Sequence, residues 1–169
     1  LDFYISDHGL GTGIGYRDSY FLSQPSGIWA ESSETHLSHA NFVVFDHGSA
    51  TGDIDNDGDM DVVLADKNQE ESGTYFWCLM NDGSGFLKKR KCGGALAFGL
   101  ELADLDGDGD LDALVGADEY ASSQAFTGIV WNNGTGYFSQ KTALPQHKKK
   151  WGTIPEVSAS DLDDDGDLD

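Results

Sequence analysis

The chain has 169 residues, the length of one ordinary domain, and 38% of them are apolar, so it can bury a core. Its formal net charge is −20, from 30 acidic and 10 basic residues, which excludes a general nucleic-acid binder and favours cations as partners. No apolar run in the sequence is long enough to span a membrane. The acidic residues are concentrated, because 16 aspartates lie in three segments of nine residues.

The three acidic segments share the pattern D-x-D-x-D-G-D-x-D and form an internal repeat. They span residues 53–61, 104–112 and 161–169, so successive copies begin 51 and then 57 residues apart. Leu1-Asp2 resembles the end of a further copy, 59 residues before the end of the first. A solvating acidic tail would mix Glu with Asp and would lack the regular glycine, so these segments are not of that kind.

In chain order, the elements after each acidic segment are those of a small antiparallel sheet. A short apolar run comes first and predicts a buried strand, at Phe3–Ser6, Val62–Ala65 and Ala113–Gly116. A hairpin follows, whose turn carries the glycine and asparagine residues that tight connections need. The paired hairpin strands are Ser19–Leu22 with Ile28–Trp29, Tyr75–Met80 with Phe86–Leu87, and Gly128–Trp131 with Tyr137–Phe138. A last strand, such as Val157–Ser160, leads into the next acidic segment, which makes four strands per unit and no helical period.

Four-stranded units in series are typical of β-propeller blades. The pattern resembles the FG-GAP/VCBS repeats of integrin α chains and of many secreted bacterial proteins. The resemblance is carried by the three acidic segments, by Phe98-Gly99 and Trp151-Gly152 upstream of two of them, and by the Asn-Asp-Gly-Ser-Gly-Phe hairpin at 81–86. The first unit departs most, with Pro25 in its hairpin and a glycine-rich insertion at residues 9–16. The resemblance implies ligand binding or adhesion through loops on one face of a propeller.

We therefore predict an all-β fold in which residues 1–169 form part of a larger β-propeller. The end of one blade lies at 1–47, complete blades lie at 48–95 and 96–142, and a further blade starts at 143–169. Because the chain begins and ends at the same phase of the repeat, we expect a fragment of a longer polypeptide. The alternative is a unit that continues head to tail into the next subunit.

Each acidic segment has the composition of a calcium loop. Calcium takes roughly six to eight oxygen ligands, and alternate aspartates at positions 1, 3 and 5 can point inward together while glycine at position 6 permits the turn. Position 7 can give its backbone carbonyl, and position 9 can close the shell. The predicted ligands are Asp53, Asp55, Asp57, Asp59 and Asp61; Asp104, Asp106, Asp108, Asp110 and Asp112; and Asp161, Asp163, Asp165, Asp167 and Asp169. We expect about one Ca²⁺ per segment, three in this chain, with Asp59, Asp110 and Asp167 contributing carbonyls.

Metal-binding loops of other kinds differ from the acidic segments in spacing or in ligand count. An EF-hand needs Glu at position 12, where this chain has Leu64 and Val115, so that type of site is excluded. Magnesium keeps more of its water and needs fewer carboxylates, which makes it the weaker candidate. A solvated aspartate-rich turn that binds nothing is the remaining alternative, and three copies in phase argue against it.

Several other residues allow two interpretations. Cys78 and Cys92 suggest a disulfide, but Cys92 lies beyond the partner of Cys78 if Met80 pairs with Phe86, so their pairing stays open. The basic runs at 88–91 and 148–150 indicate either a lysine-protected edge strand or a site for an anionic glycan. Trp77 and Trp131 favour packing between blades over sugar stacking. Three further features do not form a complete site in the sequence. They are His36 with His39, the Asp46-His47 pair and the glycosylation sequon at Asn133.

The sequence as a whole predicts a calcium-stabilised extracellular module that binds a protein or glycan ligand, with no nucleic-acid partner, and it favours a binding module over an enzyme. One alternative is a structural subunit that assembles with copies of itself into a filament or surface array. Another is a propeller that belongs to a secreted polysaccharide-degrading enzyme, whose acid–base residues this chain does not display.

Overall fold

A computed structural model describes residues 1–7, 17–38, 46–66, 75–118, 125–145, 152–166 and 168. Among them the fold is all-β apart from one short helix. The strands are β1 (Phe3–Ile5), β2 (Ser19–Ser23), β3 (Trp29–Glu31), β4 (Asp46–Gly52), β5 (Asp61–Asp66), β6 (Phe76–Asn81), β7 (Leu87–Lys91), β8 (Gly99–Ala103), β9 (Asp112–Gly116), β10 (Gly128–Trp131) and β11 (Gln140–Ala143), and the helix is α1 (Ser33–His36). None of the described helical residues forms an element long and apolar enough to cross a membrane.

The strands form three antiparallel sheets of the kind expected for propeller blades. The first has the order β1-β2-β3, the second β4-β5-β6-β7 and the third β8-β9-β10-β11. In the two four-stranded sheets, an acidic segment joins the first strand to the second, because Gly52 pairs with Asp61 and Ala103 pairs with Asp112. The prediction of an all-β chain of propeller-like sheets is thereby confirmed, and two of the three sheets have the four strands expected of a complete blade.

The local predictions fail at three places. Val157–Ser160 is not a strand, since among the described residues it has no neighbouring strand to pair with. Phe138 lies outside β11 and forms an isolated bridge with Gly93, just after the end of β7. The sequence has no helical period, yet one turn of helix, α1, follows β3, where the backbone N–H of His36 donates to the carbonyl of Ser32 at 2.8 Å.

The second sheet is buried on both of its faces. Val63 and Ala65 of β5 belong to the core cluster shared with the third sheet, whereas Val62 and Leu64 belong to the cluster shared with the first. Successive side chains of a strand point to opposite faces, so a middle blade needs apolar residues at every position. This arrangement explains the unbroken apolar run after the first acidic segment. Trp77 packs half-buried against the cluster on the first-sheet side, as the sequence favours.

The inner strands of consecutive units approach each other at glycines. A Cβ atom on Gly48 of β4 would lie 2.4 Å from the carbonyl oxygen of Phe98, and one on Gly99 of β8 would lie 3.1 Å from the Cα of Glu156. The segment after residue 152 therefore lies along β8 as β8 lies along β4. In the sequence, Trp151-Gly152 is the counterpart of Phe98-Gly99. Gly99 nevertheless lies against Glu156. Trp151 lies outside the described residues.

Cys78 and Cys92 form a disulfide, with 5.8 Å between their Cα atoms. In the register of β6 and β7, Cys78 is opposite Arg90, so Cys92 does lie two residues beyond that partner. The bond forms because the chain after β7 stays beside β6, where the backbone N–H of Cys92 donates to the carbonyl of Phe76 at 3.2 Å. The pairing that the sequence leaves open is thus decided by a contact just past the end of the strand.

Reduction of this disulfide is expected to lower the free energy of unfolding by about 3 kcal/mol, the loop-closure value for a chain segment of this length. The measurement is urea unfolding with and without reductant. A Cys78→Ala/Cys92→Ala variant is the control, because its midpoint should not respond to reductant. Equal midpoints for the oxidised and reduced parent chain would contradict the prediction.

Candidate metal centre

Each acidic loop turns twice through left-handed backbone. The glycine at position 6 has a φ of 95° at Gly58, 94° at Gly109 and 99° at Gly166. Position 4 is left-handed as well, with φ values of 60° at Asn56, 77° at Gly107 and 61° at Asp164. Glycine, asparagine and aspartate tolerate this conformation best, which explains why position 4 varies only among them. No role for position 4 is predicted from the sequence. Its restriction to these three residue types is the signal that indicates left-handed backbone there.

The first aspartate of each loop closes the turn. Asp53 accepts hydrogen bonds from the backbone N–H groups of Asp57 at 3.1 Å and Gly58 at 2.9 Å. The third loop repeats this pattern, because Asp161 accepts from Asp165 and Gly166. In the second loop Asp104 accepts from Gly109 at position 6 and from Gly107 at position 4. Since both oxygens are engaged in each case, the carboxylate is held in one orientation.

Positions 1, 3 and 5 of every loop come together. In each loop, one carboxylate oxygen from each of the three aspartates lies within 4.8 Å of the other two. The groups are Asp53, Asp55 and Asp57; Asp104, Asp106 and Asp108; and Asp161, Asp163 and Asp165. These three triplets could each hold a metal ion.

The aspartates at positions 7 and 9 do not belong to the triplets. The Asp59 carboxylate lies beside Gly83 of its own hairpin, and Asp110 accepts a hydrogen bond from Nδ2 of Asn56 at 2.7 Å, which ties the first loop to the second. Carbonyl ligation by position 7 and ligation by position 9 therefore stay predictions. Asp167 and Asp169 lie outside the described residues.

The first triplet fits a cation on two related observations at Asp55, both of which follow from burial. Oδ1 of Asp55 is buried and has no hydrogen-bond partner within the described part of the chain. Burial, followed by the neighbouring charge of Asp57, raises the pKa of the Asp55 carboxyl. An unsatisfied, partly buried anion among other carboxylates is unfavourable by itself, and a hard cation would relieve both problems.

Position 9 anchors each loop to the hairpin of its own sheet. Asp61 is completely buried and accepts hydrogen bonds from the backbone N–H groups of Asn81 at 2.8 Å and Ile54 at 3.3 Å. Asp112 accepts in the same way from Asn132 and Leu105. Asp2 also accepts from the backbone of the next strand, at Ser23 N, 2.7 Å away. That Leu1-Asp2 ends a further repeat stays a prediction.

Burial raises the pKa of Asp61 to about 6, although its hydrogen bonds act in the opposite direction. Without calcium, the folded chain therefore binds a proton more tightly than the unfolded chain, whose aspartates titrate near about 3.9. The free energy of unfolding should fall as pH rises from about 4 to about 6, by about 3 kcal/mol for this residue. With saturating calcium the slope should reverse, because metal ligands bind deprotonated.

This pH dependence is measured by urea unfolding across that range, once with chelator and once with calcium. Asp61→Asn is the control, since it removes one titrating group and should reduce the slope of the chelator curve; Asp55, Asp112 and Asp18, whose pKa values burial also raises, keep part of that slope. Parallel slopes with and without calcium would contradict the prediction.

The remaining candidates have separate positions. The basic run Lys88–Lys91 lies on β7, the edge strand of the second sheet, where Lys89 Nζ is 3.6 Å from the centre of the Trp77 ring. Trp131 donates from Nε1 to Oγ1 of Thr142 at 2.8 Å. Asn133 is exposed at a hairpin tip, where its Oδ1 accepts from the Thr135 hydroxyl at 2.7 Å. Residues 9–16, His39 and Lys148–Lys150 lie outside the described residues.

The family of the chain follows from its repeat. The family model for the FG-GAP-like repeat matches residues 53–115 and again residues 104–169. Both matches begin at an acidic loop, and together they extend from the start of the first loop through the third. A comparison with curated protein sequences finds no match. The chain belongs to the FG-GAP-like repeat family.

Proposed function

We propose that this chain is a calcium-stabilised β-propeller module that works outside the cell and binds a protein or glycan ligand. The observation that carries the calcium assignment is the repeated aspartate triplet, together with the buried Oδ1 of Asp55, which has no hydrogen-bond partner among the described residues. Three carboxylates, a carbonyl and a further carboxylate supply five hard oxygen donor groups, and bidentate carboxylates or water bring the shell to the roughly six to eight oxygens that calcium takes. Three bound ions would offset six of the 20 net negative charges.

The residues proposed to hold calcium are those at positions 1, 3, 5, 7 and 9 of each loop. The ion supplies positive charge that the loop's own carboxylates lack. The chain supplies the rest: position 1 closes the turn, position 6 permits it, and position 9 fastens the loop to its hairpin. Binding free energy at such a site is also folding free energy, so the module is stable where calcium is abundant.

The extracellular location rests on the same chemistry and on the disulfide. Weak calcium sites fill at the concentrations found outside cells. Disulfides persist in oxidising compartments, so the Cys78–Cys92 disulfide is a second argument for an extracellular location, beside the calcium sites. Ligand binding through the loops of the propeller is proposed by analogy with the family and awaits a ligand screen with calcium and with chelator.

Calorimetric titration with calcium tests the proposal. The parent chain should bind three ions, and Asp106→Asn should weaken the middle site at least about tenfold, because it removes a carboxylate from a triplet. Asp110→Asn is the matched control in the same loop: it removes one charge but leaves the position 7 carbonyl, so its affinity should stay within about threefold of the parent. Equal losses in the two variants would point to general charge and contradict the assignment.

A further inference from the structure

Two series of hydrogen bonds connect the first acidic loop to the second, across the junction of the second and third sheets. In one of them, Nδ2 of Asn56 donates to Oδ1 of Asp110 at 2.7 Å. Asn56 lies at position 4, between Asp55 and Asp57 of the first triplet. The backbone N–H of Asp110 donates to Oδ1 of Asp108, in the second triplet, at 2.9 Å. This connection therefore begins and ends at residues proposed to hold calcium.

The other connection passes through Asn132, which follows β10 of the third sheet and is 9% exposed. Its Nδ2 donates to the carbonyl of Ile54 in the first loop at 2.8 Å, and to the carbonyl of Leu111 in the second loop at 3.1 Å. Its backbone N–H donates to Oδ1 of Asp112, at position 9 of the second loop, at 2.9 Å. One buried side chain thus holds both loops.

The two residues of the first loop that make these contacts alternate with its proposed ligands. Ile54 and Asn56 occupy positions 2 and 4, and the triplet occupies positions 1, 3 and 5. Ile54 is completely buried, and its Cγ1 lies 3.0 Å from where a Cβ of Gly136 would be. The turn that gathers the carboxylates therefore also directs both residues toward the third sheet and its loop.

We propose that the first and second acidic loops bind calcium cooperatively, with Asn132 and Asn56 as the positioning residues that couple them. The inference rests on the proposed function, since it concerns the affinity of the same loops for calcium. Repulsion among the carboxylates of an unfilled loop opens its turn and disturbs both connections. A closed loop keeps the connections in place, so its neighbour has less ordering left to do when it closes. By linkage, each loop raises the affinity of the other by the same factor.

Charge acts in the opposite direction, because an ion in one loop adds two positive charges near the other. Salt screens this repulsion over about 8 Å at physiological ionic strength. The hydrogen bonds act at contact distance, and those of Asn132 are buried or partly buried, so salt weakens them much less. We therefore expect a net coupling factor of about tenfold at physiological ionic strength, and a larger factor as salt is added.

Calcium titration of the whole chain, followed by NMR, tests the coupling. The backbone N–H groups of Gly58 and Gly109 donate to the position 1 carboxylates of the first and second loops, at 2.9 and 3.1 Å. Their signals therefore report the two loops separately. In the parent chain both should titrate with a Hill slope of about 1.5, the value for two equal sites coupled about tenfold. Repulsion between the ions alone would give a slope below one.

Two variants break the connections without removing a proposed ligand. Asn132→Ala breaks the buried connection, and Asn56→Gly breaks the exposed one but keeps the left-handed backbone, as Gly107 does at position 4 of the second loop. Each should lower the slope, Asn132→Ala by more, and the double variant should reach one. Asn133→Ala is the matched control in the same hairpin, because its Oδ1 accepts from Thr135 within that hairpin. Its slope should stay at about 1.5.

A variant with the second loop disabled separates this local coupling from cooperative folding of the whole chain. In Asp106→Asn/Asp108→Asn the first and third loops keep their triplets, and Gly58 should titrate with a slope of one. Folding of the whole chain would instead keep that slope above one, because the two remaining loops would still fold together.

A slope of one or less for Gly58 and Gly109 in the parent chain overturns the coupling, and it leaves the proposed function standing if both loops fill. Signals that do not respond to calcium overturn the proposed function as well. A steep slope that survives Asn56→Gly and Asn132→Ala, or the loss of the second loop, overturns the assignment to these residues. Asn56→Gly remains informative if Asn132→Ala does not fold, because Asn56 is exposed.

Discussion

Removal of calcium is expected to lower the free energy of unfolding by more than any single substitution in this chain. A site held at a hundred times its dissociation constant contributes about 2.7 kcal/mol, and three sites act together. Without the ion, carboxylates about 4 Å apart repel each other by about 4 kcal/mol per pair at an effective dielectric of about 20. We therefore predict a large fall in the urea midpoint when chelator is added.

The control for this experiment is ionic strength. Sodium chloride at matched ionic strength screens exposed charges but does not occupy an oxygen cage, so it should restore little of the lost stability. Magnesium should restore less than calcium, because it gives up its water reluctantly. A midpoint that does not move with chelator, or that salt restores in full, would contradict a specific role for calcium.

Asp61→Ala is expected to be the most damaging substitution at the acidic loops, with a loss of about 3 kcal/mol in saturating calcium. The carboxylate is completely buried and satisfies the backbone N–H groups of Asn81 and Ile54. Its removal leaves the buried N–H of Ile54 and the partly buried N–H of Asn81 without an acceptor, at about 1–3 kcal/mol for a buried donor before local relaxation. It also frees the loop from the hairpin that it is fastened to.

Asp59→Ala is the matched comparison, two residues away in the same loop. Its carboxylate is outside the triplet, so the loss should be below about 1 kcal/mol. Urea unfolding of both variants in saturating calcium measures the difference. Similar losses would mean that the loop responds to net charge rather than to the buried anchor.

The acidic loops are the part of the molecule that the sequence predicts best. Alternating aspartates bring like charges together within one turn, and the pattern occurs three times in phase. The two left-handed positions and the convergence of positions 1, 3 and 5 are local consequences of nine residues. The strands after each loop are predicted equally well, because a short apolar run is also a local pattern.

The contacts between units could not be predicted in this way. The strand expected at Val157–Ser160 is absent, because strand formation depends on a partner and not on the segment alone. The bond from Asn132 to the Ile54 carbonyl joins residues 78 positions apart, and no local pattern indicates it. The disulfide depends on where the chain runs after β7, which the hairpin register leaves open.

The most direct test of calcium binding is a crystal structure of the chain grown with calcium, with anomalous differences used to locate the ions. We predict one peak in each of the three loops, about 2.3–2.6 Å from carboxylate oxygens of positions 1, 3 and 5. The Oδ1 atom of Asp55 should be among the ligands. Loops without peaks, or ions that contact the aspartates only through water, would contradict the claim that calcium holds these repeats together.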